Sequence, residues 1–168
     1  MPKSHRQSVL LDTSFLITLY DTTRDNHENA KKYFKYFIAS SIDMYISSIV
    51  ASEYQQKGDI NVIFNTNSFI DCPFNRGDGV IAGDFQKILS GRNPNDSRNA
   101  VKDDVKLLAQ CANYEFDFII TDDASTLAKY CKRLYELGKI PTKSITMNEF
   151  DLSIFRDGQT SLLDSIED

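Results

Sequence analysis

Short apolar runs and amphipathic helical segments alternate along most of this 168-residue chain. This alternation is typical of βαβ units, in which each crossover helix packs on a parallel sheet. The predicted strands are Val9–Leu11, Met44–Ile46, Ser68–Asp71, Phe116–Thr121 and Lys143–Met147. The predicted helices are Phe15–Tyr20, Asp25–Ala39, Ser47–Gln56, Asp84–Leu89, Asn99–Tyr114 and Ala124–Leu137. We therefore predict an α/β fold with a central, mostly parallel sheet of four to five short strands, flanked by helices.

The segment from Asp59 to Pro94 is the least regular part of the pattern, because asparagine, proline and glycine interrupt it repeatedly. Only the strand at 68–71 and the helix at 84–89 are predicted there. No linker or internal repeat divides the chain, so we expect a single domain over residues 1–168 with its core at about 9–147. The tail, residues 148–168, is expected to form short helices near Phe150 and Leu162.

The composition limits the chemistry that is available. Three widely spaced cysteines suggest neither a disulfide framework nor a zinc site, and the two histidines lie in polar surroundings. Any metal must therefore be held by oxygen ligands, which favours hard cations such as Mg²⁺ and Mn²⁺. The net charge of -5 argues against tight nonspecific binding to nucleic acid. No apolar run has membrane-spanning length and the first residues do not resemble a signal peptide, so we expect a cytoplasmic protein without membrane association.

Acidic residues directly follow two of the predicted strands. Asp12 follows Val9–Leu11, and the pair Asp122 and Asp123 follows the fourth strand. Parallel strands of one sheet present their carboxyl ends at the same edge, where open α/β sheets place their ligand sites. These acids are therefore expected to converge. Taken alone, Asp12 is equally compatible with a cap for the helix that follows it.

Two further acids occupy helical positions where apolar side chains are expected. Asp104 falls on the helical stripe formed by Leu107, Leu108 and Cys111, where an unpaired charge is costly. Glu53 lies on or beside the apolar face of its own helix, although a snorkelling or salt-bridged side chain explains one such glutamate better. Carboxylates that are held close together repel unless cations lie between them. Convergence of these acids with those at the strand ends therefore predicts a metal site.

Four ordered stretches of the chain share the pattern of one known family. They are Leu10–Ile17, Ile46–Glu53, Asp104–Ala112 and Ile119–Asp123. Together they resemble the motifs of the PIN-domain family, the small α/β nucleases that include the VapC-type toxins of bacterial toxin–antitoxin pairs. The resemblance implies that four acids are catalytic and bind one or two Mg²⁺ or Mn²⁺ ions, namely Asp12, Glu53, Asp104 and Asp123. Thr13 and Thr121 would supply hydroxyls that orient the site, and Asp103 and Asp122 stay open as alternatives to their neighbours.

The same resemblance implies a metal-dependent endoribonuclease that hydrolyses phosphodiester bonds of RNA and acts as the toxin of a toxin–antitoxin pair. Its expected partners are the RNA substrate, an antitoxin protein and a second copy of the chain in a homodimer. Cations on helices that flank the sheet are candidates for contacts with substrate phosphates, although solvated helix surface explains them better. These candidates are Lys31, Lys32, Lys35, Lys129, Lys132 and Arg133.

Three other functions compete with the endoribonuclease. A catalytically inactive PIN-like module that binds RNA or protein would keep the fold but lose one or more acids, whereas all four are present here. A nuclease directed at DNA could use the same metal site, because only the family resemblance selects RNA. A phosphatase with an aspartate nucleophile after the first strand commonly has a second aspartate two residues later, and Ser14 stands there instead.

Overall fold

Five parallel strands form one sheet in the computed structural model, which describes residues 5–90 and 98–155, with the backbone alone for 98–101. The strands are β1 (Ser8–Leu11), β2 (Asp43–Ser47), β3 (Ile70–Cys72), β4 (Phe118–Thr121) and β5 (Lys143–Thr146). They lie in the order β3-β2-β1-β4-β5, and each neighbouring pair is parallel. The predicted α/β fold class is confirmed, and the described sheet is entirely rather than mostly parallel.

Seven α-helices of the described chain connect and flank these strands. They are α1 (Thr13–Tyr20), α2 (His27–Ala39), α3 (Ser48–Gln55), α4 (Ile60–Phe64), α5 (Arg76–Leu89), α6 (Arg98–Tyr114) and α7 (Leu127–Glu136). A 3-10 turn at Ser153–Phe155 follows β5, close to the predicted tail helix at Phe150, whereas the one predicted near Leu162 lies outside the described residues. No helix in the described ranges is long and apolar enough to cross a membrane.

Strands β1 and β4, which are neighbours inside the sheet, are buried on both faces, as parallel sheets covered by helices require. Val9, Leu10 and Leu11 of β1 are fully buried, and all of β4 is buried as well. On α2, Phe37 is fully buried, with its ring centroid 5.9 Å from that of Phe155 in the 3-10 turn. Each such ring contributes about 1.5–3 kcal/mol by leaving water. Aromatic packing therefore holds the segment after β5 against α2.

The region with broken periodicity contains more regular structure than predicted. Helix α4 was not predicted, and α5 begins at Arg76 rather than at Asp84 because a capping box between Asn75 and Asp78 starts it there. Asp78 is fully buried, and its carboxylate also accepts a hydrogen bond from Asn113 on α6 at 2.7 Å. These contacts outweigh the low helix propensity of the glycines within α5.

The direction of the chain across the sheet reverses between β1 and β4. From β1 the chain passes to β2 and β3 on one side, then returns to β4 and β5 on the other. The junction is closed by the amide of Asp12, which donates to the carbonyl of Ile120 at 3.0 Å. Open α/β sheets have their ligand crevice at the carboxyl ends of such neighbouring strands, where the connections diverge. The fold thus defines in advance where a site would lie.

Candidate metal site

Asp12 lies at this reversal point, between the end of β1 and the start of α1. Its Oδ1 accepts from the amide of Thr13 at 2.8 Å, so the side chain caps α1. Its Oδ2 accepts from the hydroxyls of Ser14 at 2.8 Å and Thr121 at 2.7 Å. Burial raises the pKa of Asp12, and the hydrogen bonds lower it by less. The capping role therefore holds, and the carboxylate is also one of the acids at the sheet edge.

Two hydroxyls join the ends of β1 and β4. Besides donating to Asp12, Thr121 accepts the amide of Asp123 at its Oγ1, at 2.9 Å. Ser14 accepts the amide of Asp122 at 2.8 Å while it donates to Asp12. Thr121 was predicted as a site hydroxyl, but Ser14 was not. Its signal in the sequence is its place two residues after the acid, in the first turn of the helix that the acid caps.

Glu53 reaches the same region from α3. Its Oε2 accepts a hydrogen bond from Thr13 Oγ1 at 2.8 Å, so the predicted orienting hydroxyl acts on this glutamate. Burial raises the pKa of Glu53, and the negative charges of Asp12 and Asp103 raise it further. Glu53 is partly buried and points toward other acids, so it is not a side chain that simply reaches into solvent.

Asp104 approaches from α6, on the stripe that the sequence indicated. Leu107, Leu108 and Cys111 of that stripe are buried, while Asp104 is partly buried. Burial raises the pKa of Asp104 from its ordinary 3.8 to about 8, with help from nearby carboxylates. Those carboxylates belong to Asp12, Asp123, Glu53 and Asp103. Acids from three other segments, together with the adjacent Asp103, are therefore within electrostatic reach of this one side chain.

The two adjacent aspartates after β4, Asp122 and Asp123, make different contacts. Burial raises the pKa of Asp123, but hydrogen bonds from Thr126 and Ser125 together bring it below its ordinary value. Asp122 instead accepts from Asn26 Nδ2 at 2.7 Å, a contact that ties the end of β4 to the loop before α2. The charge of Asp123 acts on both Asp12 and Asp104, so Asp123 stays the predicted member of this pair.

Asp103 and Asp104, the adjacent aspartates on α6, are harder to assign to different roles. Its Oδ1 accepts from Lys106 Nζ at 3.2 Å, one turn along α6. Its charge nevertheless acts on both Glu53 and Asp104. Asp103 therefore lies at the margin of the acidic group rather than on a separate face of the helix.

The candidate ligand atoms are carboxylate and hydroxyl oxygens, the type of ligand that hard cations such as Mg²⁺ prefer. Within residues 5–90 and 98–155, however, no three acidic, histidine or cysteine side chains are arranged to hold one metal ion. Both oxygens of Asp12 and of Asp123 already accept hydrogen bonds. A cation bound here would also draw in Asp104 and Glu53, whose pKa values are raised by burial and further by neighbouring negative charge.

The predicted cations are distributed over two surfaces, and none of them pairs with an acid of the site in the described structure. On α2, Lys31 lies 3.5 Å from Glu28 and Lys32 lies over the ring of Phe150. Lys35 is exposed on the same helix. Helix α7 carries the others: Lys129 and Lys132 line a groove beside β5, and Arg133 does not.

No protein-family model and no curated protein sequence matches the chain. Solved structures do match. VapBC-1 from nontypeable Haemophilus influenzae is 14% identical, with 85% of this chain and 100% of that chain covered and a TM-score of 0.56. VapBC2 from Rickettsia felis is 13% identical, with 82% of this chain and 98% of that chain covered and a TM-score of 0.53. VapBC from Salmonella typhimurium is 15% identical, with 84% of this chain and 98% of that chain covered and a TM-score of 0.52. Identities this low show the fold alone: the chain has the fold of the PIN-domain VapC toxins, as the sequence motifs predicted.

Proposed function

We propose that the chain is a metal-dependent endoribonuclease that hydrolyses phosphodiester bonds of RNA. The observation that carries the proposal is the meeting of acids from four elements where the strand order reverses. Hydrogen bonds through Thr13 and Thr121 connect Asp12 with Glu53 and Asp123. The charges of all three act on Asp104. Such a concentration of partly buried carboxylates favours the binding of divalent cations.

The four acids act together in this proposal. Asp12, Glu53, Asp104 and Asp123 would hold one or two Mg²⁺ or Mn²⁺ ions. Such an ion, when bound, would lower the pKa of a water molecule and neutralise charge on the leaving oxygen. Asp12 keeps one orientation because three donors fix it, and Thr13 sets the direction of Glu53. Burial and the neighbouring carboxylates raise the pKa of Asp104 to about 8, so a cation bound beside it would favour the ionised form and release a proton.

A nuclease assay on end-labelled RNA and DNA tests the proposal, with Mg²⁺, Mn²⁺ or EDTA present. We expect RNA cleavage that needs the metal, and a loss of about 100-fold or more when Asp12 or Asp104 is replaced by asparagine. Asp84→Asn is the matched control, because it makes the same change on the exposed surface of α5. Circular dichroism of each variant checks that the fold is retained.

The pair at the end of β4 gives a sharper comparison. Asp123→Asn should lose activity, whereas Asp122→Asn keeps an Oδ1 that can accept from Asn26 and should cleave RNA normally. The opposite result would mean that the wrong member of the pair has been assigned. Cleavage that persists in EDTA would refute metal dependence, and cleavage of DNA alone would favour the DNA-directed alternative.

We further propose that the enzyme is the toxin of a toxin–antitoxin pair. Support comes from the matched structures, which are VapBC complexes, the one from Rickettsia felis being bound to a DNA fragment from their promoter. Induced expression in bacteria should arrest growth with the wild-type chain and not with Asp104→Asn. Normal growth despite nuclease activity in the extract would contradict the toxin role and leave the enzymatic proposal intact.

A further inference from the structure

A groove of about 670 Å³ lies between α7 and β5, on the edge of the sheet beyond the acidic site. Lys129, Lys132 and Lys143 line it, and no acidic residue is among the described residues of its wall. The whole chain has a net charge of -5. The groove is therefore a local concentration of positive charge on an acidic protein, the arrangement that selects a polyanion at one place.

One end of the groove lies beside the acidic site. Ser125 lines the groove, and its amide and hydroxyl donate to Asp123 Oδ1 at 3.1 Å and 2.9 Å. Thr146, also in the lining, is the register partner of Thr121 on β4. From there α7 runs for 10 residues, about 15 Å, to the end where Tyr135 lies. A strand in the groove would thus lead directly to Asp123.

Two of the lysines that line the groove, Lys129 and Lys132, have exposed side chains. Lys129 is exposed and makes no ion pair with a described residue. Lys132 lies 4.0 Å from Glu136, but both side chains are largely exposed, so that pair is weak. Lys143 lies over the ring of Tyr135, at 5.9 Å from its centroid. Lysines interspersed with an exposed aromatic ring are the usual lining of grooves that bind single-stranded nucleic acid.

We propose that this groove binds the sugar–phosphate backbone of single-stranded RNA and guides the strand to the acidic site. That the ligand is RNA rests on the proposed function. That the bound RNA leads to the acidic site rests on the contact between Ser125 and Asp123. Lysine contacts to phosphates release counterions, so binding through the groove must depend steeply on salt, by about 0.7 in the logarithmic slope for each phosphate of a single strand.

Fluorescence anisotropy of a fluorescein-labelled 12-residue oligouridylate, with the full chain in EDTA, tests the groove. The groove variant is Lys129→Gln with Lys132→Gln. The control is Lys87→Gln with Lys139→Gln, which removes the same charge from exposed positions outside the lining. The groove variant should bind on the order of tenfold more weakly at 0.1 M salt, with the slope reduced by about 1.4. The control should stay within about twofold of wild type.

Steady-state cleavage separates this inference from the proposed function. If the groove guides substrate and takes no part in the chemistry, the groove variant should raise KM and leave kcat unchanged. Equal binding by the groove variant and its control would overturn the inference, even if RNA is cleaved as proposed. Selective loss of binding in the groove variant would support it, even if the wild-type chain fails to cleave RNA.

Discussion

Replacing Asp104 by asparagine should make the protein more stable at neutral and alkaline pH. The pKa of Asp104 is about 8 in the folded chain, against an ordinary 3.8. Between these two pH values the folded state binds a proton that the unfolded chain releases. The resulting stabilisation is fully present below about pH 4 and is lost as the pH rises through about 8. Wild-type stability should therefore fall over this window, and the neutral asparagine removes the cause.

The magnitude follows from the same difference. One pKa unit corresponds to about 1.4 kcal/mol, so a shift from 3.8 to about 8 sets an upper limit of about 6 kcal/mol. Asp104 is only partly buried, and water screens the acids around it. We therefore expect Asp104→Asn to raise the free energy of unfolding by about 1–3 kcal/mol at pH 8, and to leave it close to wild type at pH 4.

Urea denaturation in EDTA at pH 4 and pH 8 measures this effect, with Asp84→Asn as the control for loss of a carboxylate elsewhere. Addition of Mg²⁺ at pH 8 should stabilise the wild type more than the variant, because only the wild type gains relief from repulsion at this position. A variant that is less stable than wild type at pH 8, or one whose stability follows the same pH dependence, would refute the electrostatic reasoning.

Three further substitutions test other contacts, each by urea denaturation. Thr121→Val removes a buried hydroxyl that donates to Asp12 at 2.7 Å, and should cost about 1–3 kcal/mol. Thr18→Val makes the same change where the buried hydroxyl has no hydrogen-bond partner among the described residues, and should stabilise by up to about 1 kcal/mol. Equal effects of the two valines would contradict this contrast. Asp78→Ala removes the capping box of α5 and the bond from Asn113, and should cost about 2 kcal/mol or more; a loss below about 0.5 kcal/mol would show that the cap is dispensable.

The strands at the centre of the sheet could be predicted because their apolar runs are continuous. The run Val9–Leu11 predicts a strand by itself, because a strand buried on both faces needs an unbroken apolar run. The convergence of Asp12 and Asp123 follows from the same strands, because parallel strands present their carboxyl ends at one edge. Even the misplaced charge of Asp104 could be read from helical spacing alone. Each of these features follows from the local spacing of apolar residues, together with the rule that parallel strands end at the same edge of a sheet.

The features that escaped prediction depend on contacts between distant parts of the chain. Helix α5 contains glycines that suggested a break, and the bond between Asp78 and Asn113, 35 residues apart, is invisible until α5 and α6 are packed. Likewise, Ser14 contributes to the site only because β4 lies beside β1, which brings the amide of Asp122 within reach of its hydroxyl. The place of Ser14 in the first helical turn indicates a contact with Asp12, but not one with an amide more than a hundred residues away.

Hydrogen-bond donors explain why acids so close together respond differently. Asp123 accepts from Ser125 and Thr126, and its pKa falls below the ordinary value although burial acts to raise it. Asp12 has three donors but is more deeply buried, so its pKa is raised. Asp104 makes no hydrogen bond to a described residue, and burial together with repulsion from the neighbouring carboxylates raises its pKa to about 8. The fold thus stabilises the acids at the strand ends with its own donors and leaves the one on α6 uncompensated. We therefore expect positive charge from outside the chain to act most strongly on Asp104, so that cation binding, stability and activity change together at this residue.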